Sequence, residues 1–414
     1  MAELDTSAAS GILKDIFLPP TRTFLDNATV LLKYIEKNIT PVEGDNFVLS
    51  VHTGRNEAAG VGRSESGTLP TPGRQSYARP IVPVKQLYST LQLSGKVMAA
   101  TKSNKGSFLR ALESEQKGLL RDTKRTFNRQ LQGDGRDVVA FWVSGTGTTV
   151  VVDDGQGNVG GDFLPTGSVS LDLVDSDNAT VHLTAVTGTR GAIVATGRNL
   201  VLGSAAAAAA AGDYFVQTGT LGNQMTGIQA VIDNANPVLL AGGLHGITVA
   251  AQPDWVAQVV GADSATAAGR VDLSFHHFQR ILSDIGQNSD FDESDVKFFL
   301  TSFGMRDTYV QLARNERFFY NTMTLDGGFE AVTYNKKPIV PDTHTRRNRI
   351  YAVTPETLAL FRMAELDWMD KDGAVLNRVS GRDAYAATLF IYQELACKVR
   401  NGNGVIKGIN EVSL

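Results

Sequence analysis

Apolar and polar positions change their period repeatedly along this 414-residue chain, and each change predicts a new element. Phe24, Ala28, Leu31, Leu32, Ile35 and Ile39 recur at helical spacing between Pro20 and Pro41, which predicts one amphipathic helix on an N-terminal arm. A helix that short is not stable alone and must dock on something. Phe47-Val-Leu-Ser-Val51 alternates as a half-buried strand does. Residues 81–93 form a β-rich returning arm that Pro83 keeps from being a central strand. Over 104–132 Phe108, Leu112, Leu119, Leu120, Phe127 and Leu131 make a single stripe, with Gly133-Asp-Gly135 as the stop signal. A helix of that extent is a rod of roughly 40 Å. Helical periodicity then vanishes until residue 220, where strands at 148–152, 169–173, 181–186 and 214–217 alternate with Gly, Asp and Asn turns. This reads as a small antiparallel β-domain inserted into the host chain. Beyond Met225 the pattern is mixed, with helices expected at 226–233, 272–285, 306–317, 355–367 and 382–399. Short strands are expected at 298–300, 337–340, 350–353 and 405–409. The fold class is α+β.

The stretch joining the two arms, residues 54–80, is rich in Gly, Pro, Ser and Thr. It carries Arg55, Glu57, Arg63, Glu65, Arg74 and Arg79, and its larger apolar residues are only Val61, Leu69 and Tyr77. A loop that long is either disordered or shaped by contact outside its own subunit. The structured arms on both sides favour contact, so the chain reads as an assembly protein.

Composition narrows the picture without changing it. A hydrophobic content of 42% with 20% charged residues is ordinary for a globular protein of two or three domains. The net charge of −4 gives no support to a dedicated nucleic-acid binder. One cysteine, Cys397, fits a reducing compartment and excludes an internal disulfide. The acidic start lacks the basic region of a secretory signal, and no apolar run approaches the ~20 residues of a membrane span. Charge is distributed unevenly: Lys and Arg outnumber acids from 96 to 136. The 150–203 region holds Asp153, Asp154, Asp162, Asp172, Asp175 and Asp177 against Arg190 and Arg198. Such asymmetry suggests two faces in different surroundings, although each face can also be plain solvated surface.

Candidate chemistry is thin. Ser144-Gly-Thr-Gly-Thr148 lacks the lysine of a phosphate cradle and reads as a β-turn. His276 and His277 are adjacent, so on a helix they point about 100° apart and cannot share an ion. Asp290-Phe-Asp-Glu-Ser-Asp295 lacks the glycine and terminal Glu of a calcium loop and reads as a polar turn before a buried strand. Cys397, placed on the helix expected at 382–399, shows no sign of a nucleophile. No catalytic, cofactor or metal site is expected. The exposed basic face of the long helix, Lys117, Arg121, Lys124, Arg125 and Arg129, is either solvated or contacts nucleic acid through phosphate attraction alone.

The order of these parts, with three local strings, resembles the tailed-bacteriophage major capsid proteins of the Hong Kong 97-type fold. The strings are Arg129-Gln-Leu-Gln-Gly-Asp-Gly135, Lys337-Pro-Ile-Val-Pro-Asp342 and Arg400-Asn-Gly-Asn-Gly-Val-Ile-Lys-Gly-Ile409. The resemblance implies an N-terminal arm (1–45), an E-loop hairpin with flanking strands (46–95) and a peripheral domain with its spine helix (96–139). It continues with the inserted β-domain (140–221), an axial domain (222–380) and a return to the peripheral domain (381–414). It also implies a shell of pentamers and hexamers of one subunit around packaged double-stranded DNA, assembled in the host bacterial cytoplasm and found in the virion. Separate scaffolding, portal and decoration proteins are the further partners implied, and no membrane. In such shells the E-loop lies across a neighbouring copy, so the six charged tip residues become candidates for inter-subunit ion pairs. Some members cross-link through an E-loop lysine; here the tip has none, Lys85 lies on the returning arm, and no covalent mesh of that design is expected. The β-insertion would face outward and the basic helix inward. Two alternatives stand beside this reading: an encapsulin-like compartment with a protein cargo, and a carbohydrate-binding or hydrolytic enzyme using residues 140–220.

Overall fold

The computed structural model describes residues 30–38, 46–96, 105–145, 147–153, 167–178, 180–194, 197–206, 209–210, 212–237, 239–240, 242–263, 269–315, 322–324, 330–370 and 375–411. Of the expected N-terminal helix, Phe24, Ala28 and Ile39 lie outside the described residues, as do Asp154 and Asp162. Within them, Val30–Tyr34 is helical and Glu36–Asn38 is a strand. Leu31, Leu32 and Ile35 are buried in the main core, so this segment docks on its own subunit.

The long helix runs from Lys105 to Gln132. Phe127 and Leu131 are fully buried, and Leu119 and Leu120 pack at the edge of the same core. The helix stops where the Gly133 amide bonds to the Gln130 carbonyl at 3.1 Å and Gly135 adopts a φ of 89°. Gly227 abuts this end so closely that a Cβ there would lie 2.3–2.7 Å from three of its carbonyl oxygens. Only glycine fits.

Six strands, Ala140–Ser144, Thr149–Asp153, Val169–Val174, Val181–Val194, Gly197–Leu202 and Tyr214–Gln217, close into a barrel. Alternate residues point inward: Trp142, Val150, Val152, Leu171, Leu173, Leu200 and Phe215 fill it. Trp142 stacks on Phe215 with ring centroids 6.3 Å apart. The incoming and outgoing segments of the barrel meet at the helix end. The Arg129 guanidinium bonds to one Asp137 oxygen at 2.6 Å and the Gln224 amide to the other at 3.1 Å. These two bonds tie the segments that enter and leave the barrel to the end of the helix.

The body contains two sheets. One has the order Glu36–Asn38, Leu358–Trp368, Ala384–Cys397, Asn377–Arg378, with Lys85–Ser94 also paired to Ala384–Cys397. The other has seven strands, and the helix Phe275–Asn288 packs Phe278, Ile281, Leu282 and Ile285 onto it. Ser274 and His277 cap that helix reciprocally, while His276 is exposed.

Two expected helices are strands. Residues 355–367 form one short 3-10 turn, Pro355–Thr357, and then the strand Leu358–Trp368. Residues 382–399 hold the strand Ala384–Cys397, so Cys397 lies on a strand. The reason is tertiary. Ala387, Leu389, Ile391, Gln393, Leu395 and Cys397 are buried at every second position, a strand period that outweighs the helix preference of Ala, Leu, Gln and Glu. Leu358 and Leu360 enter one core while Ala359 and Phe361 enter another. Burial on both faces erases the alternation by which a strand is recognised. The helix expected at 226–233 shortens to Ile228–Val231.

The Arg400-Asn-Gly-Asn-Gly string is a structural node. Arg400, almost wholly buried, donates to the carbonyls of Val231, Trp255, Ala230 and Ala235 at 2.7–3.2 Å. Asn403 accepts from the Thr354 amide at 3.0 Å and donates to the Thr357 hydroxyl at 2.6 Å. Together they join the two sheets to the loops around residue 235.

Candidate assembly interface

The two arms form a hairpin in two rungs. Asn46–Val48 pairs with Ile81–Pro83, and Val51–Gly54 pairs with Ser76–Ala78. Its root is fixed to the body. Phe47 and Val82 are buried against Ala359, Phe361 and Ala396, with the Phe47 and Phe361 rings 4.5 Å apart. The Ile81 amide donates to the His245 carbonyl at 2.8 Å. His245 is itself buried, at a φ of 54°, and its Nε2 accepts from the Cys397 amide at 3.2 Å. Burial, reinforced by the nearby Arg400 charge, pushes its pKa down to about 4. The imidazole thus stays neutral and keeps the lone pair this bond needs. Below the root, Lys85 donates to the Gly222 carbonyl at 2.6 Å, and the strand that begins there pairs with Ala384–Cys397 through Gln393 to Ala384.

Beyond the second rung, the hydrogen bonds among the described residues lie within the hairpin. Arg55 donates to the Ala59 carbonyl at 3.0 Å, Asn56 to the Gly73 carbonyl at 3.2 Å, and the Gly67 amide to the Ser64 carbonyl at 2.9 Å. Leu69 is 82% exposed, Tyr77 64%, and Val61, Val48 and Ile81 are exposed as well. Arg55, Glu57, Arg63, Glu65, Arg74 and Arg79 are all exposed. Among the described residues none of the six forms an ion pair with the body.

The basic helix is divided. Lys117 and Arg121 are exposed, and Lys124 and Arg125 are half-buried with partners in the subunit. Arg129 is committed to Asp137 at the barrel clasp. Cys397 is fully buried, and burial pushes its thiol up to about 12, so it holds its proton at neutral pH. Sequence reasoning did not single out His245. Its signal, a Leu-His-Gly turn, is common, and its two contacts are tertiary. Among the described residues no helix is long and apolar enough to cross a membrane, which says nothing about strands.

No protein-family model and no curated protein matches the chain in sequence. Its structure is similar to the cyanophage A-1(L) capsid asymmetric unit, with a TM-score of 0.55, 10% identity and 92% of each chain covered. Weaker likenesses include the holo-SrpI encapsulin complex from Synechococcus elongatus (TM-score 0.45, 10% identity, 92% of this chain and 87% of that one). The capsid of Myoviridae phage XM1 follows with a TM-score of 0.42, 10% identity and 92% coverage of both chains. Long helix, rooted hairpin and inserted barrel thus sit within an α+β chain that has the fold of a phage capsid subunit of the Hong Kong 97 type.

Proposed function

We propose that this chain is the major structural subunit of an icosahedral phage-type shell, built from pentamers and hexamers of identical copies around double-stranded DNA. The observation that carries the reading is the hairpin, anchored at its root by Phe47, Val82 and the Ile81–His245 bond and bare at its tip. A subunit that leaves Leu69 and Tyr77 in water presents apolar surface for another copy to cover. The six charged tip residues then meet complementary charges on that neighbour. Each exposed pair contributes only about 0–1 kcal/mol, but many act at once in a closed shell. Residues 46–95 act as the E-loop with its flanking strands, the Lys105–Gln132 helix as the spine and the barrel as an outward-facing insertion. Lys117 and Arg121 on the inward face attract phosphate without reading sequence. Assembly takes place in the host bacterial cytoplasm, with separate scaffolding, portal and decoration proteins, and the product resides in the virion.

Negative-stain microscopy of the purified protein with nucleic-acid analysis tests this. Closed shells or capsomer rings are expected, with DNA inside particles purified from infected cells. Shells that hold a protein cargo and no nucleic acid would make the chain an encapsulin-like compartment. Small particles at every concentration would overturn assembly and restore the enzyme reading.

A further inference from the structure

One cluster of ligand-type side chains is assembled from three separate segments of the barrel. Asp175 follows the strand Val169–Val174, His182 is the second residue of Val181–Val194, and Asp213 precedes Tyr214–Gln217. Register brings them together, because Val174 pairs with Val181 on one side and Tyr214 on the other. The pairing slips between Val181 and Leu183, which places His182 in a bulge. A bulge re-aims a side chain out of the regular alternation. Here His182 Nε2 lies 3.4 Å from Asp213 Oδ2 and 3.6 Å from Asp175 Oδ2, and the three ligand atoms all lie within 4.8 Å of one another.

Those distances discriminate. A hydrogen bond from imidazole to carboxylate would measure about 2.7–3.2 Å. A tetrahedral ion with bonds of about 2.0–2.1 Å has ligand–ligand edges of about 3.3–3.4 Å. The two spacings from His182 lie near the second range, and the third edge, between the two carboxylates, is within 4.8 Å. The carboxylates are also oriented for the task. Asp175 Oδ1 takes the Ser176 hydroxyl at 3.1 Å and the Asp177 amide at 3.2 Å, which leaves Oδ2 for the centre. The Asp213 side chain is 1% exposed and held by the Ser176 amide on Oδ1 and the Ala210 amide on Oδ2. A carboxylate oxygen has two lone pairs, so Oδ2 retains one for an ion.

We propose that Asp175, His182 and Asp213 bind one divalent transition-metal ion of the zinc class, with solvent in the fourth position. Imidazole in the donor set suits zinc, whereas calcium takes six to eight oxygens. The ion ties Asp175 and Asp213 to His182 at one rim of the barrel. No spacing motif announces this cluster in the sequence, because strand register brings its members together. The proposal is independent of shell assembly.

The test uses the full-length chain stripped with EDTA and titrated with zinc chloride by calorimetry, with cobalt absorption as a geometric readout. One zinc per chain is expected, together with a tetrahedral cobalt spectrum and a melting temperature that rises with zinc. His182→Gln and Asp175→Asn, both at partly exposed positions, should keep the wild-type circular dichroism and weaken zinc by about tenfold or more. Absence of binding would overturn the proposal. So would unchanged affinity in both variants, since the chain has six histidines to offer elsewhere. Equal binding of calcium that is indifferent to His182→Gln would also overturn it.

Discussion

Leu69→Ala separates the role of the hairpin tip from the stability of the subunit. Leu69 is 82% exposed, so nearly the whole side chain is available to a neighbour. The substitution removes three carbons. At about 0.8 kcal/mol per buried methylene, reduced by the share already covered, a neighbour that buries Leu69 would lose about 2 kcal/mol per subunit. At about 1.4 kcal/mol per tenfold, the subunit concentration at which shells form should rise roughly 25-fold. The isolated subunit should be indifferent, because a surface change away from any packed feature stays within about 0.5 kcal/mol. Light scattering across a concentration series reads the threshold, and thermal melting below that threshold reads the subunit. An unchanged threshold would mean that no copy covers the tip. A lowered melting temperature would mean that Leu69 packs on its own body.

Deleting residues 60–73 should leave a soluble, folded subunit that forms no shells, and normal shells from that deletion would remove the hairpin from assembly. Arg400→Met should cost on the order of 3 kcal/mol or more in denaturant unfolding, since the carbonyls of Val231, Trp255, Ala230 and Ala235 lose a buried donor. Burial pushes the Glu394 carboxyl up to about 8, only partly offset by the Thr226 amide that bonds to it. A group harder to ionise when folded stabilises fully below its unfolded value of 4.5, and that stability is lost as pH rises toward 8. Glu394→Gln should therefore flatten the decline of unfolding midpoints between pH 5 and 8, and parallel slopes for the two proteins would contradict the argument. Replacing Lys117 and Arg121 with Gln should lower the salt sensitivity of DNA retention in shells by about two phosphate contacts per subunit, and an identical salt slope would turn that face away from DNA.

Legibility followed the range of the interactions involved. The long helix was readable because its stripe and its Gly133-Asp-Gly135 stop lie within one stretch, and the observed helix ends at Gln132. Four of the six barrel strands were readable from their turns, whereas Ala140–Ser144 and Gly197–Leu202 were not expected and Val181–Val194 runs well past its expected end at residue 186. Each edge-to-core alternation is local even though barrel closure is not. The strands Leu358–Trp368 and Ala384–Cys397 were misread as helices, because Ala, Leu, Glu and Gln supply helical preference and only pairing between them supplies the counterweight. His245 was invisible for the same reason: the amide that bonds to its ring lies 152 residues away.

The amino-acid order alone determined that residues 54–80 hold too little apolar material to fold on themselves, that a rod precedes a β-rich insertion, and that this sequence of parts resembles a capsid subunit. Tertiary structure decided which basic side chains remain available and which, like Arg129, are used to clasp the barrel. It also decided that the Arg400–Asn403 string is internal scaffolding, and that a bulge at His182 turns an imidazole onto two carboxylates. The physical reason is that hydrophobic period and turn chemistry act between residues a few positions apart. Register, burial and charge pairing depend on what distant segments bring to the same place.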